Sequence, residues 1–87
     1  MSNASRIHPR MYSAKLDLMI RDVLHALGDV DFEHQLDIER IAQSVDDEEL
    51  KGQMINKANV EHQLNRQPYV DLLNKLRMQQ HRRSFAA

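Results

Sequence analysis

The chain has 87 residues, Lys+Arg 12 against Asp+Glu 13, no cysteine, no tryptophan and 41% apolar residues, the profile of one small domain. Without cysteine there is no disulfide framework, no thiolate metal site and no cysteine nucleophile, so stability has to come from packing. Two glycines and two prolines leave few positions for the tight turns of a sheet, while the abundance of Leu, Met, Gln, Glu, Ala, Lys and Arg predicts an all-α fold.

Met1 to His8 are small and polar and are expected to form a frayed tail. Pro9 suits a first helical position, and Tyr12, Leu16, Met19, Ile20, Val23, Leu24 and Leu27 then recur at three- and four-residue spacing, which predicts a helix over 9–27. Gly28 follows as a helix stop, and Asp29 or Asp31 can cap the next helix. Phe32, Leu36, Ile38, Ile41, Ala42 and Val45 give a shorter apolar stripe, predicting a second helix over 31–44.

Ser44-Val45-Asp46-Asp47 and Asp46-Asp47-Glu48-Glu49 both place an acid three positions after a capping side chain, and four consecutive acids suit the positive end of a helix. A third helix is therefore expected over 46–65, carrying Leu50, Met54, Ile55, Ala58, Val60 and Leu64 and weakened in its first turns by Gly52. Gln67 precedes Pro68 and is biased out of helical geometry, which predicts a break before a fourth helix over 68–82 with Tyr69, Leu72, Leu73 and Leu76.

These elements imply a single helical domain over 9–83, followed by a second frayed tail at 84–87. The expected architecture is a small antiparallel bundle of about four helices, completed by dimerisation because so short a chain has little core of its own. Leu18 and Val70 are candidates for the dimer surface.

The net charge of -1 conceals an uneven layout. Residues 1–10 carry +2, residues 11–65 carry -7 and residues 66–87 carry +4, an acidic middle between two basic ends. Mutual neutralisation within a monomer or across a dimer accounts for such a layout, and so does a contact surface for a charged partner.

One tetrapeptide occurs twice, Glu33-His34-Gln35-Leu36 and Glu61-His62-Gln63-Leu64, twenty-eight residues apart. Read as chemistry, two Glu-His pairs would make a metal or proton-transfer site between helices. The spacing argues against that, because adjacent residues on a helix point about 100° apart and cannot close on one ion. His34 with Asp37 is a usable i, i+3 pair, but the second copy has Asn65 at the matching place. His25 suits a helix-end cation better than a catalytic base. The serines fall in tails or caps, and there is no threonine and no glycine-rich phosphate loop. No enzyme, cofactor or metal is expected.

Residues 38–55 have the lengths of a DNA-binding helix-turn-helix, but Asp46 and Asp47 occupy its turn and Glu48 and Glu49 extend the acidic run into the groove-reading end. The last predicted helix has a basic end, yet Asp71, Gln79 and Gln80 make it a poor membrane-surface anchor. No run is long and apolar enough for a bilayer span and the N-terminus lacks the apolar core of a signal peptide, so the expected compartment is the cytoplasm.

By elimination the sequence reads as a non-enzymatic helical protein-interaction module, adaptor or regulator, whose partners are a second copy of itself and another protein. The candidate contact residues are the acidic Asp46, Asp47, Glu48 and Glu49 and the basic Arg66, Lys75, Arg77, Arg82 and Arg83. The alternative is a small nucleic-acid-associated regulator working through the basic C-terminal segment.

Overall fold

A computed structural model describes the backbone of residues 9–86 and the side chains of residues 14–82. The chain forms two helices, α1 (Pro9–Ser44) and α2 (Glu48–Ala86), of 36 and 39 residues. They fold back on each other into an antiparallel hairpin whose extents are 70 × 17 × 17 Å. The expected tail at 1–8 lies outside the described residues, as does Ala87.

The all-α class holds, but the four predicted helices are two. Gly28 does not end α1, and no described glycine has a positive φ. Glycine inside a helix costs about 1 kcal/mol relative to alanine. That is less than the helix gains by continuing an inward stripe from Leu27 through Val30 and His34 to Ile38 and Ile41. Pro68 likewise lies inside α2. Its ring removes the bond to the carbonyl of Leu64, and because Leu64 and Pro68 are both on the exposed side, water can satisfy that carbonyl.

Among the described residues the one true break is the link of residues 45–47. Val45 N–H still donates to the Ile41 carbonyl at 3.1 Å, finishing α1. Asp47 then opens α2: its Oδ1 accepts from the N–H groups of Glu49 at 2.9 Å and Leu50 at 3.1 Å, while its carbonyl accepts from Lys51 N–H at 2.8 Å. Of the two capping boxes read in the sequence, neither supplies the cap through its first residue. The side chain that fills the role is Asp47, one position beyond Asp46.

Leu16, Val23 and Leu27 of α1 pack with Leu73 and Leu76 of α2, and Ile20 and Val70 flank them. This core lies in the open half of the hairpin, where Pro9 and Ala86 are. In the turn half the seam continues through the half-buried Ile38, Ile41, Val45, Ile55 and Ala58. The alternation of three- and four-residue steps along α1 (16, 20, 23, 27, 30, 34) is that of a two-stranded coiled-coil seam.

A two-helix rod buries little. The accessible surface is 7204 Å² for 10.2 kDa, against about 5,300 Å² for a compact monomer of that mass. The radius of gyration is 20.0 Å, against about 12 Å for a globular chain of this length. Large apolar side chains stay in solvent on the outer sides of both helices, among them Leu18, Phe32 (63% exposed), Val60, Leu64 (68%) and Met78.

Candidate interaction site

Between the apolar core and the turn, the seam becomes polar. Four cross-helix residues form this layer in two reciprocal pairs. His34 Nε2–H on α1 donates to Asn59 Oδ1 on α2 at 2.8 Å, and His62 Nε2–H on α2 donates to Asp31 Oδ1 on α1 at 2.6 Å. The two imidazoles stack, with ring centroids 4.0 Å apart and planes 9° from parallel.

Positions correspond after twenty-eight residues: Glu33 with Glu61 and His34 with His62 are identical, and Asp31 with Asn59 and Asp37 with Asn65 pair an acid with its amide. The duplicated tetrapeptide is thus placed on both arms at the same height, giving the middle of the turn half a local two-fold pseudosymmetry. One departure breaks it. Arg66 matches Ile38 in the repeat and turns inward, donating from Nε to Asp31 Oδ1 at 3.2 Å and from Nη2 to Asp31 Oδ2 at 3.5 Å.

The Asp31 carboxylate therefore accepts from two cross-helix donors. The hydrogen bond from His62, and after it the one from Arg66, holds its pKa below the ordinary aspartate value. The His62 side chain is 15% exposed and Arg66 31%, while Asp31 is 46% exposed and Asn59 lies on the exposed side, so the helices shelter the layer only in part. Since both ring Nε2 atoms donate, each neutral ring keeps Nδ1 as an acceptor.

One side of the layer opens into a polar groove of about 280 Å³, lined by Val30, Glu33, His34, Asp37, Ala58, Glu61, His62, Asn65 and Tyr69. A second hollow, lined in part by Ile41 and Met54, shares Asp37, Ala58 and Glu61 with it and carries the groove on toward the turn. Parallel stacked rings keep their in-plane lone pairs from converging on a single ion. Among the described residues no group of three or more His, Cys, Asp or Glu side chains is placed to hold a metal. What the layer can do is fix register: sliding one helix by a heptad would separate both reciprocal pairs inside the seam.

The candidate residues read from the sequence do not form one site. Asp46, Asp47, Glu48 and Glu49 sit at the closed tip, where Asp47 is the helix cap and Glu48 lies 3.4 Å from Lys51. Arg66 belongs to the internal layer, far from the basic end to which its sequence position seemed to assign it. Lys75, Arg77 and Arg82 are on the open half of α2, and Arg77 and Arg82 share a shallow hollow with Asn74, Met78 and His81. The side chain of Arg83 lies outside the described residues.

The sequence reading missed the meeting of His34 and His62. The signal was present: the two copies of the tetrapeptide straddle the turn at residues 45–47, so an antiparallel hairpin places them on facing arms at similar heights. Expecting a break at Gly28 and another at Pro68 hid that symmetry. Among the described residues no helix is long and apolar enough to cross a membrane. No protein family, no curated protein and no solved structure matches this chain.

Proposed function

We propose that this chain is a non-enzymatic docking rod, a helical interaction module that acts by laying its helix faces against another macromolecule. The observation that carries this reading is the disproportion between surface and core. Among the described residues five are buried, whereas Leu18, Leu24, Phe32, Leu36, Leu50, Met54, Val60, Leu64, Leu72 and Met78 stay exposed. Single exposed apolar residues need no explanation, but so many on a rod that leaves roughly 1,900 Å² more surface than a compact chain point to faces that are covered in use. The cross-helix polar layer supports the same role, since a fixed register presents those faces rigidly.

Proximity labelling in the source cell tests the reading, comparing the protein with a variant carrying Leu18, Phe32 and Leu64 as glutamine. The variant is expected to keep its helical circular dichroism and lose its specific neighbours. An unchanged set of neighbours overturns the proposal.

A second reading is favoured by one observation, the exposed bases Lys75, Arg77 and Arg82 on the open half of α2. There the rod would bind a nucleic-acid backbone. Such binding would weaken steeply with added salt and vanish on replacing Arg77 and Arg82 by alanine.

A further inference from the structure

Resting on the docking-rod reading, we propose that the partner is a second copy of this chain, laid antiparallel along the grooved face so that the turn half of each rod covers the open half of the other.

Charge is the first argument. Residues 29–66, the turn half, hold ten acids and four bases; residues 9–28 and 67–86, the open half, hold seven bases and three acids. Folding the chain into a hairpin therefore converts an acidic middle between basic ends into a rod with a negative half and a positive half. Parallel pairing would set like halves together, and antiparallel pairing sets opposite halves together.

The register follows from the helix bounds. Pro9–Ser44 is centred between Ala26 and Leu27, and Glu48–Ala86 is centred at Gln67, so one level of the rod holds both centres. A two-fold axis there, lying in the plane of contact, puts α1 over the partner's α1 and α2 over its α2. At 1.5 Å per residue, Asp37 lies about 16 Å from the centre toward the turn and Lys15 about 17 Å from it toward the open end. On α2, Glu61 lies about 9 Å turnward and Lys75 about 12 Å the other way. Full overlap thus brings Asp37 against Lys15 and Glu61 against Lys75, each pair occurring twice.

These residues share the required face. Lys15 is eighteen residues from Glu33, five whole helical turns, and Lys75 is two heptads from Glu61. Glu33, Asp37 and Glu61 all line the groove. At the axis itself the face is apolar, with Ala26, Tyr69 and Leu72. Neither Lys15 nor Lys75 has an ion-pair partner among the described residues. A face of 70 by 17 Å is about 1,200 Å², more than the roughly 800 Å² that each partner contributes to a stable interface.

The absence of cysteine makes the test clean. A spin label on Ser44→Cys, an exposed site near the turn, reads the distance between the two copies by pulsed dipolar resonance. The antiparallel dimer predicts about 50 Å, twice the offset of residue 44 from the centre. A distance below about 25 Å means parallel rods and overturns the proposal. So does a monomer mass with no dipolar coupling at micromolar concentration, whereas the docking-rod reading is decided separately, by whether the Leu18, Phe32 and Leu64 variant loses its neighbours in the labelling experiment. The register is tested by Lys15→Glu with Lys75→Glu, expected to raise the dimer dissociation constant at least about tenfold and to be rescued by adding Asp37→Lys and Glu61→Lys. Loss of affinity without rescue, or no loss, overturns the assigned face.

Discussion

The ring of His34 lies flat against that of His62, 4.0 Å away, and each is held by the residue three positions before the other, Asn59 for His34 and Asp31 for His62. Such reciprocity makes the four residues act as a unit, because removing one ring both loses the stack and strands the group that accepted from the other side. His34→Ala and His62→Ala are each expected to cost about 1 kcal/mol, and the double variant to cost less than the two together by about 0.5–1.5 kcal/mol. Urea unfolding of the four-member cycle measures that coupling. Strict additivity would show that the stack contributes nothing beyond two separate hydrogen bonds.

Asp31 gives the layer a pH dependence of known sign. Its pKa is depressed in the folded chain by the hydrogen bonds from His62 and Arg66, so the folded state binds the proton less readily than the unfolded chain does. The stabilisation it supplies is complete above the ordinary aspartate value of about 4 and is lost as pH falls through the lower folded value. Melting temperature recorded from pH 7 down to pH 2 should therefore fall less below about pH 4 in Asp31→Asn than in the wild type. At neutral pH the variant is the less stable, because the amide is a weaker acceptor for His62 and Arg66. Parallel curves across the acid range would show that Asp31 titrates as an isolated surface carboxylate.

Much of this arrangement was legible in the residues. Composition excluded sheet, and the three-and-four spacing picked out Leu16, Val23, Leu27, Leu73 and Leu76, all of which are buried. The helix count was not legible, because a glycine and a proline are local penalties whereas the seam they interrupt is a tertiary gain. At Gly28 the penalty is about 1 kcal/mol, and the inward residues on either side, Leu27 and Val30, outweigh it. The polar layer depended on the same error. The Glu-His-Gln-Leu pair is plain in the sequence, but only an uninterrupted hairpin puts residues 34 and 62 at one height. Arg66 looked like part of a basic end because its charge was visible and its cross-helix acceptor, Asp31, thirty-five residues away, was not.

The acidic tip offers a sharp contrast between neighbours. Asp47 Oδ1 accepts from two backbone N–H groups at the start of α2, whereas Asp46 makes no side-chain hydrogen bond among the described residues. Asp47→Ala is expected to cost about 1 kcal/mol of unfolding free energy, with Asp47→Asn and Asp47→Ser retaining most of it. Asp46→Ala should fall within about 0.5 kcal/mol of the wild type. Denaturant titrations of the four variants check this, and an equal loss from Asp46 and Asp47 would mean that negative charge near the positive helix end matters more than the cap.

Gly28 and Gly52 sit inside helices with ordinary negative φ, and a Cβ added at either meets nothing within 4 Å. Neither a turn, a left-handed conformation nor a close approach within the chain calls for glycine there. Alanine removes backbone freedom from the unfolded chain without adding a clash, so each substitution should stabilise the hairpin by about 0.5–1 kcal/mol. On a domain of this size that raises the melting temperature by about 2–8 °C per substitution. Because the two positions are on different helices with no shared neighbours, the double variant should show the sum. Calorimetry of the two single variants and the double decides it. A glycine whose replacement destabilises the protein, or weakens its self-association while leaving the isolated hairpin more stable, would be one that another backbone approaches closely in the assembled state.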